Sequence, residues 1–399
     1  MKQITKTQKE LLDVLSKSLF DRKNENVEIN IDILKEAKHQ AVLSLMNVDV
    51  IEFPQVYNLQ AKILFNNMRI EYEHVDAHRL MLENKVPYVV LKGVASAIYY
   101  PEPSLRTMGD VDLLVLESDL EKVDKILRAN GFCQEDFDAH HHHIVYQRHR
   151  NGLRSVWEVH WKSPGIPNGE SGIKIQKYLS NIIDCARIHK IPSGEYQIPM
   201  AFHHGLVMLL HIAGHLINTG IGLRHLCDWA VFVATFSDDE FCAMFEEKLK
   251  AVGLWRFAQL LTQLSIKYLG CPKKDWCGNG DEEYLNKMMQ DIMDGGNFGE
   301  KDKNRINQAK LMTNTGKGVD DTSILKQFFL TMNDKAKRGM PIVAKVPVLL
   351  PIGWAYVGFR HLLRMIQGRR PSIDVGDMIS GATKRKEIYR EFRLFEEEK

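Results

Sequence analysis

Paired cysteines are missing from this 399-residue chain. Its six, Cys133, Cys185, Cys227, Cys242, Cys271 and Cys277, contain no CxxC spacing. That excludes a CxxC zinc ribbon or thioredoxin-type motif, and free thiols in a reducing cytoplasm are expected. Long apolar runs are missing too. The most hydrophobic stretch, VPVLLPIGWAYVGF (346–359), has 14 residues and two prolines, short of the ~20 that a bilayer-spanning helix needs. A buried or docked helix is the plainer expectation for it, and contact with a membrane surface is the alternative. The opening MKQITKTQKELLDVLSKSLF is amphipathic and charged, without an apolar signal core, so a cytoplasmic protein is expected. No GxSxG, HExxH or GxxxxGKS/T occurs, which removes the serine-hydrolase elbow, the zincin helix and the P-loop. An RNA-recognition aromatic pair and a repeat of fixed period are absent as well.

Charge of one sign is scarce overall, with 53 Lys/Arg against 51 Asp/Glu. The balance hides an asymmetry: residues 335–399 carry 14 Lys/Arg and 7 Asp/Glu. A basic tail suits an anionic partner or simply a solvated helix. The length exceeds one ordinary core. Apolar spacing of three and four predicts an N-terminal helical annex over 1–85. The period then changes. PYVVLKG, DVDLLVL, HHHIVYQRH and SVWEVHW read as strands, with ESDLEKVDKILRANGF as a helix between them. This predicts a small mixed sheet with helices over 86–163. Residues 164–399 read as all-helical, with a flexible linker near 295–323. The expected class is α+β.

What the sheet segment does have is acid in an awkward place. In RTMGDVDLLVLES (106–118), Asp110 and Asp112 share one face while Val111, Leu113 and Val115 alternate onto the other. A strand that only packed would carry no carboxylates there, because an unpaired one is costly to desolvate. In SVWEVHW, Trp157, Val159 and Trp161 occupy one face and Glu158 and His160 the other. If these two strands are neighbours, Glu158 completes a trio of carboxylates. Three hard oxygen donors with open positions suit Mg²⁺. Two such ions about 4 Å apart would polarise an attacking hydroxyl and a leaving pyrophosphate. Lys92 and Arg106 supply positive charge near the same edge, and Gly93 lets backbone approach a phosphate.

The order LKG (Leu91-Lys92-Gly93), Arg106 with GDVDLLV, then Glu158-Val159-His160-Trp161 resembles the nucleotidyltransferase superfamily that includes DNA polymerase β. It is most similar to a bacterial family of uncharacterised nucleotidyltransferases, and GLRHLCDWAVFV (222–233) and the segment 340–364 extend the likeness over 85–365. The resemblance implies a polymerase-β-like core. It implies metal ligation and catalysis by Asp110, Asp112 and Glu158, holding two Mg²⁺ ions with Mn²⁺ as the alternative. Lys92, Gly93 and Arg106 would hold the nucleotide. The reaction implied is transfer of an NMP from NTP to an acceptor hydroxyl on a small molecule, protein or RNA. The chain departs from the wider pattern: Val94 stands where Ser is usual, 16 residues separate Gly93 from Asp110, and Glu158 replaces an Asp. A non-catalytic nucleotide- or partner-binding protein of the same fold, and a tRNA-modifying or toxin-type transferase, are the alternatives.

Histidines crowd the chain. His140 to His143 and His149 invite a metal, but alternation leaves at most two of the run on one side of a strand, and no cysteine pair accompanies them. His204, His211 and His215 fall on one helix face and are expected to line a cleft. Arg224 and Asp228, four apart, form either a helix ion pair or, with His160, contacts to the acceptor or base.

Overall fold

The structure, a computed structural model, describes residues 4–21, 28–135, 142–150, 152–302, 304–312, 323–366 and 375–396. Two helices open the chain, α1 (Lys6–Phe20) and α2 (Ile31–His39); a Thr5/Gln8 capping box starts the first. The 30-residue α3 (Pro54–Glu83) begins with Pro at its first position. The α/β segment follows as β1 (Tyr88–Val90), α4 (Val94–Ala97), β2 (Val111–Val115), α5 (Leu120–Ala129), β3 (Cys133–Gln134), β4 (His143–Arg150) and β5 (Leu153–His160). The strands form one mixed sheet in the order β1-β2-β5-β4-β3. Its central pair, β2 and β5, is parallel and the other pairs are antiparallel.

Alternation assigns the two faces of this sheet. Tyr88, Val90, Val111, Leu113, Val115, Trp157 and Val159 turn to one side, where they form a core with Ile70, Ala77, Leu80 and Met81 of α3. The buried Glu73 on α3 fastens that side. It accepts from the Trp157 indole at 2.8 Å and from the Ser155 hydroxyl, and pairs with Arg69. A buried indole N–H needs such a partner. Val89, Leu91 and Leu114 therefore face the opposite way, into the large helical core, and Asp112, Glu158 and His160 go with them.

After β5 come α6 (Glu170–Leu179), a hairpin of β6 (Arg187–Ile191) and β7 (Gly194–Ile198), then α7 (Ala201–Asn218), α8 (Leu223–Ala234), α9 (Asp238–Lys250), α10 (Trp255–Leu269), α11 (Glu282–Gly295), α12 (Arg305–Met312), α13 (Ile324–Gly339), α14 (Pro341–Lys345), α15 (Leu350–Ile366) and α16 (Val375–Arg390). The hairpin corrects the all-helical expectation for this half. Its strands have five residues each, and the turn relies on Gly194 at φ +152°, where a Cβ would strike Val75. Tyr196 and Ile198 bury their side chains in the α3–sheet core. The N-terminal segment divides. Leu11, Leu15 and Leu19 of α1 and Ile33 and Leu34 of α2 join the core of α7, α8 and α10, whereas α3 belongs to the sheet. Within the stretch 295–323, residues 305–312 are α12, whose Arg305 is buried against Asp291. Residues 313–322 lie outside the described residues. No helix among the described residues is long and apolar enough to cross a membrane.

Candidate active site

Parallel pairing puts Asp112 directly opposite Glu158 in the β2–β5 register. Lys92 follows β1, and its ammonium reaches Asp112 Oδ1 at 2.8 Å. The His160 Nε2 faces the same oxygen at 3.0 Å and Glu158 Oε2 at 3.3 Å. Asp112 is buried, while Glu158 keeps 23 % of its side chain exposed. The positive groups that a paired-acid strand requires are thus Lys92 and His160. Burial would raise the Asp112 carboxyl, but Lys92 and His160 outweigh it and hold it well below the usual carboxylate range. Burial would likewise lower Lys92 and His160, and the neighbouring acids push both up.

Asp110 precedes β2 and is less well provided for. The charge of Asp112, then burial, pushes its carboxyl up to about 7, against the lowering influence of Lys92. The like charge of Asp112 and the burial thus outweigh Lys92 and Arg224 at Asp110. Two groups of ligand atoms lie within 4.8 Å of one another among the described residues: Asp112, Glu158 and His160, and His142, His143 and His160. Asp110 is in neither, and an imidazole stands in its place beside the other two acids. A divalent cation fits this donor set, with Asp112 and Glu158 as oxygen ligands, His160 as a nitrogen neighbour, and Asp110 carrying unmet negative charge.

Gly93 sits at φ +61°, ψ −111° at the start of α4, a conformation only glycine adopts without strain. Beneath it lies buried His74, a residue with no sequence signal. Its Nδ1 meets Ile70 O at 2.7 Å, and its Nε2 has no hydrogen-bond partner.

Arg106 is paired within the protein. Its Nε and Nη2 donate to the two oxygens of Asp228 at 2.8 and 2.7 Å, and the Tyr100 hydroxyl donates to Asp228 Oδ1 at 2.8 Å. Asp228 thus pairs with Arg106, 122 residues away, and not with Arg224 one helical turn back. Arg224 makes no ion pair among the described residues. Its Nη1 donates to Thr107 O at 3.3 Å, its guanidinium lies 5.2 Å from the Phe298 ring centroid, and burial, then Arg106, lowers its proton affinity.

These groups line one cleft of about 780 Å³ between the open face of the sheet and helices α7 and α8. Lys92, Gly93, Arg106, Asp110, Asp112, Glu158, His160, Arg224 and Asp228 all border it, as do His204, His211 and His215. His225 and Phe298 also line it and were not legible as site residues. The rings of His211, His215 and His225 lie 4.4 to 5.7 Å apart. Burial disfavours the charged form of all three: it lowers His215 to about 4 and holds His211 and His225 well below the usual imidazole range. Of the histidine run, His142 and His143 reach the cleft mouth, His149 points to solvent on β4, and His140 and His141 lie outside the described residues.

A small mixed sheet that offers paired acids to a cation-lined cleft, with a glycine turn beside them, is the core of a nucleotidyltransferase. The chain belongs to the family described as uncharacterised nucleotidyltransferase, whose model matches residues 55–270, more than half its length. The match takes in α3, which backs the sheet, and ends after α10; the segment 340–364 falls outside it. No curated protein matches the chain.

Proposed function

We propose that the chain transfers an NMP from an NTP to an acceptor hydroxyl, with a divalent metal held by Asp112 and Glu158 and with His160 and Asp110 beside it. The observation that carries this is the register of Asp112 against Glu158 in the cleft, with Asp110 bordering the same cleft. Mg²⁺ or Mn²⁺ bound there would neutralise phosphate charge and make the acceptor hydroxyl more acidic. His160 orients Asp112 through its 3.0 Å contact. Lys92 and the Gly93 backbone meet the triphosphate. Arg106 acts through Asp228, setting the wall that α8 presents, and Arg224 supplies the cation turned toward the bound anion. The acceptor oxygen attacks the α-phosphorus, the bond to pyrophosphate breaks, and Glu158, which keeps 23 % of its side chain exposed, takes the hydroxyl proton. The helical half selects the acceptor.

The test uses four labelled NTPs with Mg²⁺ or Mn²⁺ and pooled small-molecule, protein and RNA acceptors, following pyrophosphate and label transfer. Wild-type protein is expected to transfer label from at least one NTP, and Asp112→Asn to lose it by at least about a thousandfold. NTP binding with no pyrophosphate from any pool would refute transfer and leave a binding protein of the same fold.

A further inference from the structure

Helices α13 to α15 form a unit that packs mostly on itself. Trp354 Nε1 donates to Asn333 Oδ1 at 2.9 Å, and Gly353 lies so close to Ala336 and Val343 that a Cβ would collide with them. That contact points one face of α15 at α13. On the opposite face, Ile352, Ala355, Phe359 and Leu363 follow at i, i+3, i+7 and i+11, a single helical stripe. The stripe is open to solvent: Ile352 is 57 % and Phe359 59 % exposed. The connection into α15 continues it with Ile342 at 55 % and Val348 at 80 %. So much contiguous apolar surface is unusual on a protein that meets only water.

Its charge surroundings are one-sided. Residues 335–373 contain eight Lys/Arg and no Asp/Glu. Lys345 at the end of α14 and Arg360 on α15 are exposed, as are Lys337 and Arg338 at the end of α13, where Arg338 pairs with Asp334 at 3.8 Å. An apolar face flanked mostly by cations, with Asp334 of α13 paired to Arg338, on a helix too short and interrupted to span a bilayer, matches the surface of an anionic membrane. The side chains would enter the acyl boundary while the long Lys and Arg stems reach back to the headgroups. A protein partner would need an acidic rim round an apolar centre, and RNA would leave the apolar stripe in water.

We propose that the outer face of α14 and α15 docks on anionic lipid headgroups, laying this unit in the plane of the membrane. The proposal stands on residues outside the cleft and does not depend on the transfer chemistry.

The full-length protein is mixed with vesicles of phosphatidylcholine containing about a third phosphatidylglycerol, and with pure phosphatidylcholine vesicles, and sedimented. Binding is expected to the anionic vesicles alone and to weaken with salt. Lys345→Ala/Arg360→Ala removes two surface charges and is expected to lower the partition constant by about thirtyfold. Ile352→Asp/Phe359→Asp changes only solvent-facing side chains and is expected to abolish sedimentation, with far-UV circular dichroism unchanged. Equal binding to neutral vesicles, no binding, or an apolar-face variant that still binds would overturn the proposal. So would a concentration-dependent dimer that Ile352→Asp/Phe359→Asp dissolves, which would make the face a self-contact, or retention on tRNA without vesicle binding.

Discussion

Replacing Asp228 with Asn should unseat the helical wall of the cleft. The carboxylate receives two parallel N–H bonds from Arg106 at 2.8 and 2.7 Å and a third from Tyr100. Both ion-pair side chains are 7 % exposed, so water cannot substitute for a lost partner. The amide keeps one acceptor but turns its NH₂ toward the guanidinium, leaving a buried charge uncompensated. Removing one member of a buried pair costs about 3–5 kcal/mol. Arg106→Met should cost a similar amount, because Asp228 is then the stranded charge. The double variant Arg106→Met/Asp228→Asn leaves no unpaired charge and keeps an acceptor for the Tyr100 hydroxyl, so it should lie several kcal/mol above the sum of the singles. Urea midpoints and slopes at neutral pH, followed by far-UV circular dichroism, give all three values. Single-variant losses under about 1 kcal/mol, or additive effects in the double, would refute the reasoning. In that case Arg106 would be free to hold phosphate. Its substitution by Lys would then raise the KM for NTP without lowering the urea midpoint.

Two more expectations follow from the same neighbourhood. Burial lowers His74 to about 4 and His204 to about 3, so the unfolded chain takes up protons near pH 6.5 that the folded chain refuses. The histidine contribution to stability is full above pH 6.5 and falls as pH drops toward 4, by about 2 kcal/mol for His74 alone at pH 5, while Asp110, raised to about 7, opposes it. Equal urea midpoints at pH 7 and pH 5 would contradict this. Gly93→Ala meets nothing nearer than 3.8 Å, so its cost is conformational strain of about 1 kcal/mol. The fold should survive while NTP affinity, read by isothermal titration, weakens; unchanged affinity would remove Gly93 from the phosphate cradle.

The period of two in β2 and β5 was legible because each strand is apolar on one side and acidic on the other, and the faces Asp112 and Glu158 occupy follow from it. Their adjacency was an assumption about strand order that the parallel register meets. The Asp228 partner of Arg106 could not be read, since it lies 122 residues on and a guanidinium near a strand edge suits phosphate as well as carboxylate. The β6–β7 hairpin escaped because its five-residue strands carry mixed polar and apolar residues and bury only Tyr196 and Ile198 deeply. His225 and Phe298 gave no signal: what makes them cleft residues is the packing of α8 beside the turn after α11. That α1 and α2 join the distant helical core, while α3 serves the sheet, is likewise a matter of long-range partners, not of periodicity.

Asp112 and Glu158 become neighbours only when β2 and β5 run side by side, and the chain between those strands must first fold back as α5, β3 and β4. Short-range order alone cannot bring the two acids together. Any partly unravelled form in which β5 has come away has parted Glu158 and His160 from Asp112, however much helix it retains. In a denaturant series, turnover should therefore vanish at or before the loss of helical signal, which makes activity a strict gauge of how much protein has its sheet closed.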